Sequence, residues 1–301
     1  MRVLFVEQPR EMPPAPEGRA VVVDVAFASG DAYETSTLPF LNALGDRLAL
    51  WIDHHEHPIG WDKVRGDPRF LLVPNREAHA CPELVTPEVV ARLGKIDVVV
   101  AHADFDGLLS AVKVLRLGEP PWPQADEDAR AADSPGRGHV MTERARLYVD
   151  ALSEVQASLH TKQREDVRQA LVAALVQSPD SLPIPLEEQL RELQADHLKT
   201  IAPAIELAKS AKEEAQGVLV VRAAKAMPKS LKKALLSELE ARAAVGVVIE
   251  GKAITAATFR EEIDLARVQA LGGGRSDYRF GTTTDGGREI VAALGRVVKD
   301  G

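Results

Sequence analysis

Along the first half of the chain, short runs of consecutive apolar, mostly β-branched residues recur at Val3–Val6, Ala20–Val23, Leu48–Ile52, Phe70–Val73 and Ile96–Val100. Continuous apolar runs, unlike alternating ones, mark strands buried on both faces, and such strands belong to parallel sheets. Helix-favouring stretches lie between them. Thr86-Pro87-Glu88 is a start signal, with Thr86 as cap and Pro87 at the first helical position, and Gly94 supplies the stop. Residues 1–139 therefore predict an α/β domain with a doubly wound, mainly parallel sheet.

From 140 to 216 the pattern changes to Ala, Leu, Glu, Gln, Lys and Arg, with almost no strand signal, and Ser178–Pro185 (SPDSLPIP) breaks it once. This predicts a helical connector in two halves. Such helices could pack on the lobes at either side or pair with a second copy as a homodimer. Residues 217–301 return to a smaller mixed α/β pattern. Strands are expected at Val218–Val221, Val245–Ile249 and Lys252–Phe259, and helices at Leu231–Ala241, near Leu265–Ala270 and near Arg288–Val298. A glycine loop, Gly272–Gly274, interrupts the last stretch, and no internal repeat is evident.

Composition narrows the class. The 301 residues are 45% hydrophobic and 27% charged, enough for ordinary folded cores and too balanced for disorder. No apolar run approaches the roughly 20 residues of a membrane-spanning helix, and the N-terminal apolar stretch is too short for a secretory signal. The single cysteine, Cys81, excludes an internal disulfide and a cysteine-built metal site. A soluble protein of cytoplasmic type is expected. The net charge of −8 argues against a stable complex with duplex DNA. From 217 onward, however, 14 Lys plus Arg face 10 Asp plus Glu, leaving −12 on the first 216 residues. That division suits carboxylates holding cations in one part and basic groups holding an anionic substrate in the other; ordinary solubilising charge would look the same.

Candidate chemistry sits where the strand-like runs end. Asp24 closes AVVVD, Asp53-His54-His55 closes LALWIDHH, and His102-Ala103-Asp104-Phe105-Asp106-Gly107 closes IDVVVAHADFDG; Asp133 follows an acidic patch at Asp126–Asp128. Loops at the carboxyl ends of parallel strands converge on one crevice, so distant residues can share a site. Alone, Asp24 reads as a turn residue and HADFDG as an Asx-type turn before a helix. Two adjacent imidazoles after a buried strand are harder to explain structurally. Together the set suits one or two divalent cations: carboxylates neutralise and bridge them, and neutral imidazole favours Mn²⁺, Co²⁺ or Zn²⁺ over Mg²⁺. Two such ions about 4 Å apart activate a bridging water and offset charge on a phosphoryl group.

These residues resemble the DHH phosphoesterase family. Asp53-His54-His55 matches its signature triplet, HADFDG resembles its aspartate-rich first motif, Asp24 its second and Asp133 its fourth. Thr258-Phe259-Arg260, Asp264, Gly272-Gly273-Gly274-Arg275 and Gly281 look like its DHH-associated domain, so the resemblance spans nearly the whole chain. Two departures stand out. The motifs run second, third, first, fourth, as in a circular permutation, and the glycine loop ends in Arg275 where the family usually has histidine. His102 takes the place of the first aspartate of a D-x-D-x-D-G variant.

The resemblance implies a divalent-metal-dependent phosphoesterase with two ions, Mn²⁺ first and Mg²⁺ or Co²⁺ as alternatives. Asp104 would serve one ion, with His102 beside it; Asp106, His54 and Asp133 would serve the other, and Asp24 would bridge. His55 would face the substrate phosphate and Asp53 would orient the histidine pair. Gly272, Gly273, Gly274, Arg275 and Arg260 would bind substrate on the C-terminal domain. The expected substrates are short: an oligoribonucleotide, a bisphosphorylated nucleoside or a dinucleotide. A single-strand exonuclease would carry a basic channel with more than these 13 aromatics. A non-catalytic nucleotide-binding or assembly protein on the same fold is the alternative from a different class.

Overall fold

The computed structural model describes all residues except 134–139, 261, 272–277 and 301. Five strands, β1 (Arg2–Val6), β2 (Ala20–Val23), β3 (Leu48–Asp53), β4 (Phe70–Leu72) and β5 (Val98–His102), form one sheet in the order β1-β5-β2-β3-β4. Every neighbouring pair is parallel. The helices that accompany it are α1 (Leu38–Leu44), α2 (Pro58–Lys63), α3 (Pro87–Ala91), α4 (Phe105–Leu115), α5 (Ala125–Asp133), α6 (Glu143–Ser158), α7 (Thr161–Gln177) and α8 (Ile184–Lys209).

Successive residues of a strand point to opposite faces, and here both faces are covered. Val21, Val23, Val99 and Ala101 pack with Leu108, Leu109 and Val112 of α4 and with Leu171 and Leu175 of α7. Ala20, Val22, Val98 and Val100 pack with Tyr33 and with Phe40 and Leu44 of α1. The expected parallel sheet is therefore present, and for the expected reason. Neighbouring strands β2 and β5 continue into helices on opposite faces, which opens a crevice at their carboxyl ends.

A second sheet contains β6 (Lys212–Ala215), β7 (Val218–Ala223), β8 (Val245–Glu250), β9 (Ala253–Ala257) and β10 (Tyr278–Thr282), in the order β10-β9-β8-β7-β6. Only β7 and β8 are parallel. α9 (Lys229–Glu240) sets Leu235, Leu236 and Leu239 against Val221 and Val248, and α10 (Arg288–Asp300) sets Ile290, Val291 and Leu294 against Val220 and Val247. One compact unit comprises Met1–Asp133 with His139–Gln194, and Ala195–Gly301 falls in the other, so the division lies inside α8. No described helix is long and apolar enough to cross a membrane.

Four local expectations need correction. The strand expected at Ile96–Val100 begins two residues later, because the Asp97 and Val98 amides both donate to Arg19 O before the ladder starts. The helical stretch from 140 breaks twice: besides 178–183, the chain restarts at His160, whose N–H donates to Gln163 Oε1 at 3.3 Å. Its last residues form β6, a charged edge strand paired antiparallel with β7 across the turn at Gly217; charged side chains are a usual way to keep an edge from pairing further. The helix expected near Leu265–Ala270 is instead two 3₁₀ turns, Leu265–Arg267 and Gln269–Leu271. Buried Leu265, Val268 and Leu271 recur every third residue, which matches the 3₁₀ period and not the α-helical one.

The helix expected after Thr86 is α3, with the Thr86 side chain accepting the Val89 N–H. Its start is fixed by Gly118, at φ +92°, where a Cβ would lie 2.5 Å from Pro87 Cα. Gly118→Ala should therefore destabilise the protein by roughly 1–3 kcal/mol, from overpacking added to the left-handed backbone. Thermal or urea unfolding checks this; an unchanged midpoint would contradict the close approach.

Candidate metal centre

The carboxyl ends of β2, β3 and β5 deliver the polar groups. Asp24 follows β2 in the left-handed region, at φ +59°, and its N–H donates to Ile52 O at 2.9 Å, so strand β3 holds the turn. A non-glycine residue there is strained, as is common in functional turns. Asp53 ends β3, and His54 and His55 follow with their rings 4.4 Å apart, edge to face. His102 ends β5. Asp104 then caps α4, its Oδ1 accepting the Gly107 N–H at 3.1 Å, and Asp106 lies in the first turn. Gly107 is required, because a Cβ would sit 2.5 Å from His102 O where the helix folds back on the strand end.

His54 lies at the centre. Its Nε2 is 3.3 Å from Asp24 Oδ1, 3.6 Å from Asp106 Oδ2 and 3.9 Å from Asp133 Oδ2, the last contributed by the end of α5. His54 Nδ1 is 3.0 Å from Ala78 O. A carbonyl can only accept, so Nδ1 carries the proton and Nε2 is the nitrogen free to ligate. On the other side, His102 Nδ1 is 2.8 Å from Asp104 Oδ2 and 3.6 Å from Asp24 Oδ2. His55 Nδ1 is 2.9 Å from Asp53 Oδ1 and 3.7 Å from Asp24 Oδ1. Asp24, Asp53, His54 and Asp106 are buried.

These atoms fall into overlapping sets able to hold a cation: Asp24, His102 and Asp104; His54, Asp106 and Asp133; and Asp24, His54 and His55. Asp24 Oδ1, Asp24 Oδ2 and His54 Nε2 are buried without a hydrogen-bond partner among the described residues. Buried polar atoms are normally satisfied, and two carboxylate oxygens left facing an imidazole nitrogen fit a metal ion. Oxygen and nitrogen donors together suit Mn²⁺ or a similar ion.

Electrostatics agree. Burial alone would raise the Asp24 pKa, but His102 and His54 beside it hold its carboxyl well below the usual range. Asp106 is pushed well above that range by burial, then by Asp24, Asp104 and Asp133. Burial works against charge on His54, yet Asp24, Asp133 and Asp53 outweigh it and raise its pKa to about 9. His102 is also raised well above its ordinary value, against burial, by Asp104 and Asp24. Without a cation, protons supply the positive charge that the carboxylates demand.

The structure thus brings together Asp24, Asp53, His54, His55, His102, Asp104, Asp106 and Asp133, as the sequence suggested. Arg260 is exposed in the loop after β9, within the second unit. Gly272, Gly273, Gly274 and Arg275 lie outside the described residues. The acidic patch before Asp133 is structural: Asp126 accepts from Lys113 Nζ at 2.8 Å, and Asp128 accepts from Trp122 Nε1 at 2.7 Å and from the Thr142 hydroxyl at 2.8 Å. Sequence reading missed the segment Ala78–Glu83, which contributes backbone groups that no side-chain pattern reveals. Cys81 N–H, for example, donates to Asp106 Oδ2 at 3.2 Å.

No protein-family model matches the chain, and no curated protein is similar to it. Among solved structures, it is similar to the pGpG-specific phosphodiesterase PggH of Vibrio cholerae, with 13% identity and a TM-score of 0.46, covering 94% of this chain and 100% of that one. It is also similar to the exonuclease RecJ bound to manganese, with 15% identity, a TM-score of 0.39 and coverage of 93% and 74%. An uncharacterized protein from Helicobacter pylori G27 follows at 12% identity and a TM-score of 0.22, covering 94% and 85%. Overlap this distant bears on neither residues nor reaction.

The raised pKa of His54 has a measurable consequence. A group whose folded pKa lies above its ordinary 6.5 contributes stability that is complete below 6.5 and is lost as pH rises through about 9. Asp106, also raised, acts in the same direction. In chelator-treated protein, stability should therefore fall between pH 6.5 and 9, by an amount of the order of 1–3 kcal/mol. Added Mn²⁺ should reverse the trend, since ligation needs the deprotonated groups. Thermal midpoints across this range, with EDTA and with Mn²⁺, test both; identical profiles would contradict the metal centre.

Proposed function

We propose that the chain is a divalent-metal-dependent phosphoesterase of DHH type, acting on short nucleotides. One observation carries the reading: three donor sets overlap through Asp24 and His54, and both Asp24 oxygens and His54 Nε2 are buried without a hydrogen-bond partner among the described residues. In this reading Asp104 and His102 would hold one ion, His54, Asp106 and Asp133 a second, and Asp24 would serve both. Such ions would supply Lewis acidity that activates water and offsets charge on phosphoryl oxygens.

The chain's own groups do the rest. Asp53 Oδ1 accepts the hydrogen bond of His55 Nδ1–H at 2.9 Å, which leaves Nε2 to meet a substrate phosphate oxygen. Burial works against charge on His55, but Asp53 and Asp24 override it and raise its pKa, a direction that suits an anionic ligand. His54 is kept in its ligating tautomer by Ala78 O. The substrate class of oligoribonucleotide, bisphosphorylated nucleoside or dinucleotide is supported by the low aromatic content and negative net charge, which suit small anions held at a metal more than a long strand stacked along a channel. The glycine loop and Arg275 remain the proposed substrate-gripping groups.

Purified protein should hydrolyse at least one member of a panel of short RNA, short DNA, bisphosphorylated nucleosides and linear or cyclic dinucleotides with Mn²⁺, and none with EDTA. His54→Ala and Asp106→Asn should each lower kcat/KM by about 100-fold or more while leaving circular dichroism unchanged. A chain that binds a nucleotide, retains no Mn²⁺ and hydrolyses nothing would instead be a binding module.

A further inference from the structure

The three residues assigned to the second ion come from β3's end, α4 and α5, which are far apart in sequence. One short segment, Ala78–Glu83, touches the anchor of each. Ala78 O holds His54 Nδ1 at 3.0 Å, and Cys81 N–H holds Asp106 Oδ2 at 3.2 Å. Glu83 Oε2 pairs with Arg130 Nη2 at 2.7 Å, one turn of α5 before Asp133. Glu83 Oε1 accepts the Ala80 N–H at 3.0 Å, which ties the same carboxylate to the segment's own backbone. Lys113 of α4 adds a brace: its buried Nζ donates to Pro82 O at 2.8 Å and to both oxygens of Asp126 on α5. The ligands of the first ion have a different support. Asp104 is fixed as the cap of α4, accepting the Gly107 N–H, and His102 ends a strand paired with β1 and β2.

We propose that Ala78–Glu83 is a positioning device for the second metal site, and that the Glu83–Arg130 ion pair sets where Asp133 stands relative to His54 and Asp106. The inference rests on the dinuclear reading of the site. Arg130 and Glu83 are positioning residues: neither is among the ligand sets. Their effect passes through the rotation of α5, because residues three apart lie on one helix face. The pair is partly buried, and Glu83 is tied to its own segment through the Ala80 N–H, so breaking it removes the tie on α5 that lies one turn from Asp133 while those at Asp126 and Asp128 stay. The two ions should therefore separate in affinity when the pair is broken. Groups that orient a ligand from behind typically change metal affinity 10–100-fold.

Mn²⁺ binding to the full chain, followed by calorimetry and by the loss of the free-ion electron paramagnetic resonance signal, tests this. The parent should bind two ions. Arg130→Gln should keep one at the parent affinity and weaken the other by 10–100-fold, and Arg130→Lys, which retains the charge, should recover most of the loss. Glu83→Gln provides a second variant that keeps the Ala80 hydrogen bond should Arg130→Gln fold poorly. Two unchanged constants in Arg130→Gln, or an equal weakening of both ions, would overturn the proposal while leaving the dinuclear centre standing. A parent chain that binds fewer than two ions would overturn the dinuclear reading itself.

Discussion

Negative charge crowded at one sheet edge is the constraint around which the first unit is organised. Asp24, Asp53 and Asp104 stand with three histidines at the ends of neighbouring strands, joined by Asp106 from the first turn of α4 and Asp133 from the end of α5, and several of them are buried. Two like charges 4 Å apart repel by about 4 kcal/mol even at an effective dielectric constant of 20. The fold can hold such a group only if positive charge arrives as protons or as metal ions. The opposed pKa shifts of Asp24 and Asp106 express this: imidazoles hold one carboxyl well below the usual range, and burial with neighbouring carboxylates pushes the other well above it.

The same constraint explains the supporting architecture. A parallel sheet covered on both faces places strand ends, and not strand middles, at the surface, so the polar cluster interrupts no hydrophobic layer. β5 comes last of the five in sequence yet pairs between β1 and β2. The His102–Asp106 segment is thereby set beside Asp24 although some eighty residues separate them. Order along the chain and order across the sheet are independent, which is why Asp24, His54, Asp106 and Asp133 can meet at one place.

Much of this was legible in the sequence, for a physical reason. Buried parallel strands write themselves as unbroken apolar runs, and a charged residue that ends such a run marks the carboxyl edge; Asp24, Asp53 and the HADFDG segment were all found that way. What stayed hidden depends on tertiary context. β6 is a strand only because β7 pairs with it, the Leu265–Leu271 stretch turns as 3₁₀ because every third side chain is buried, and the break at His160 is a local capping event inside helix-favouring composition. Ala78 and Cys81 act through backbone C=O and N–H, which every residue possesses, so no residue type announces them.

The backbone of Asp24 has one more implication. At φ +59° the position would suit glycine better than any other residue, and glycine would also remove a carboxylate from the interior. A sequence optimised for folding alone would therefore write glycine after β2. Under the proposed metal-holding role, position 24 is a point where thermostability and cation affinity pull in opposite directions. In a random library screened only for heat resistance, small neutral residues should be enriched at this site, with glycine foremost; a screen for cation capture should return aspartate. The turn that closes β2 thus records, in a single torsion angle, which of the two demands shaped it.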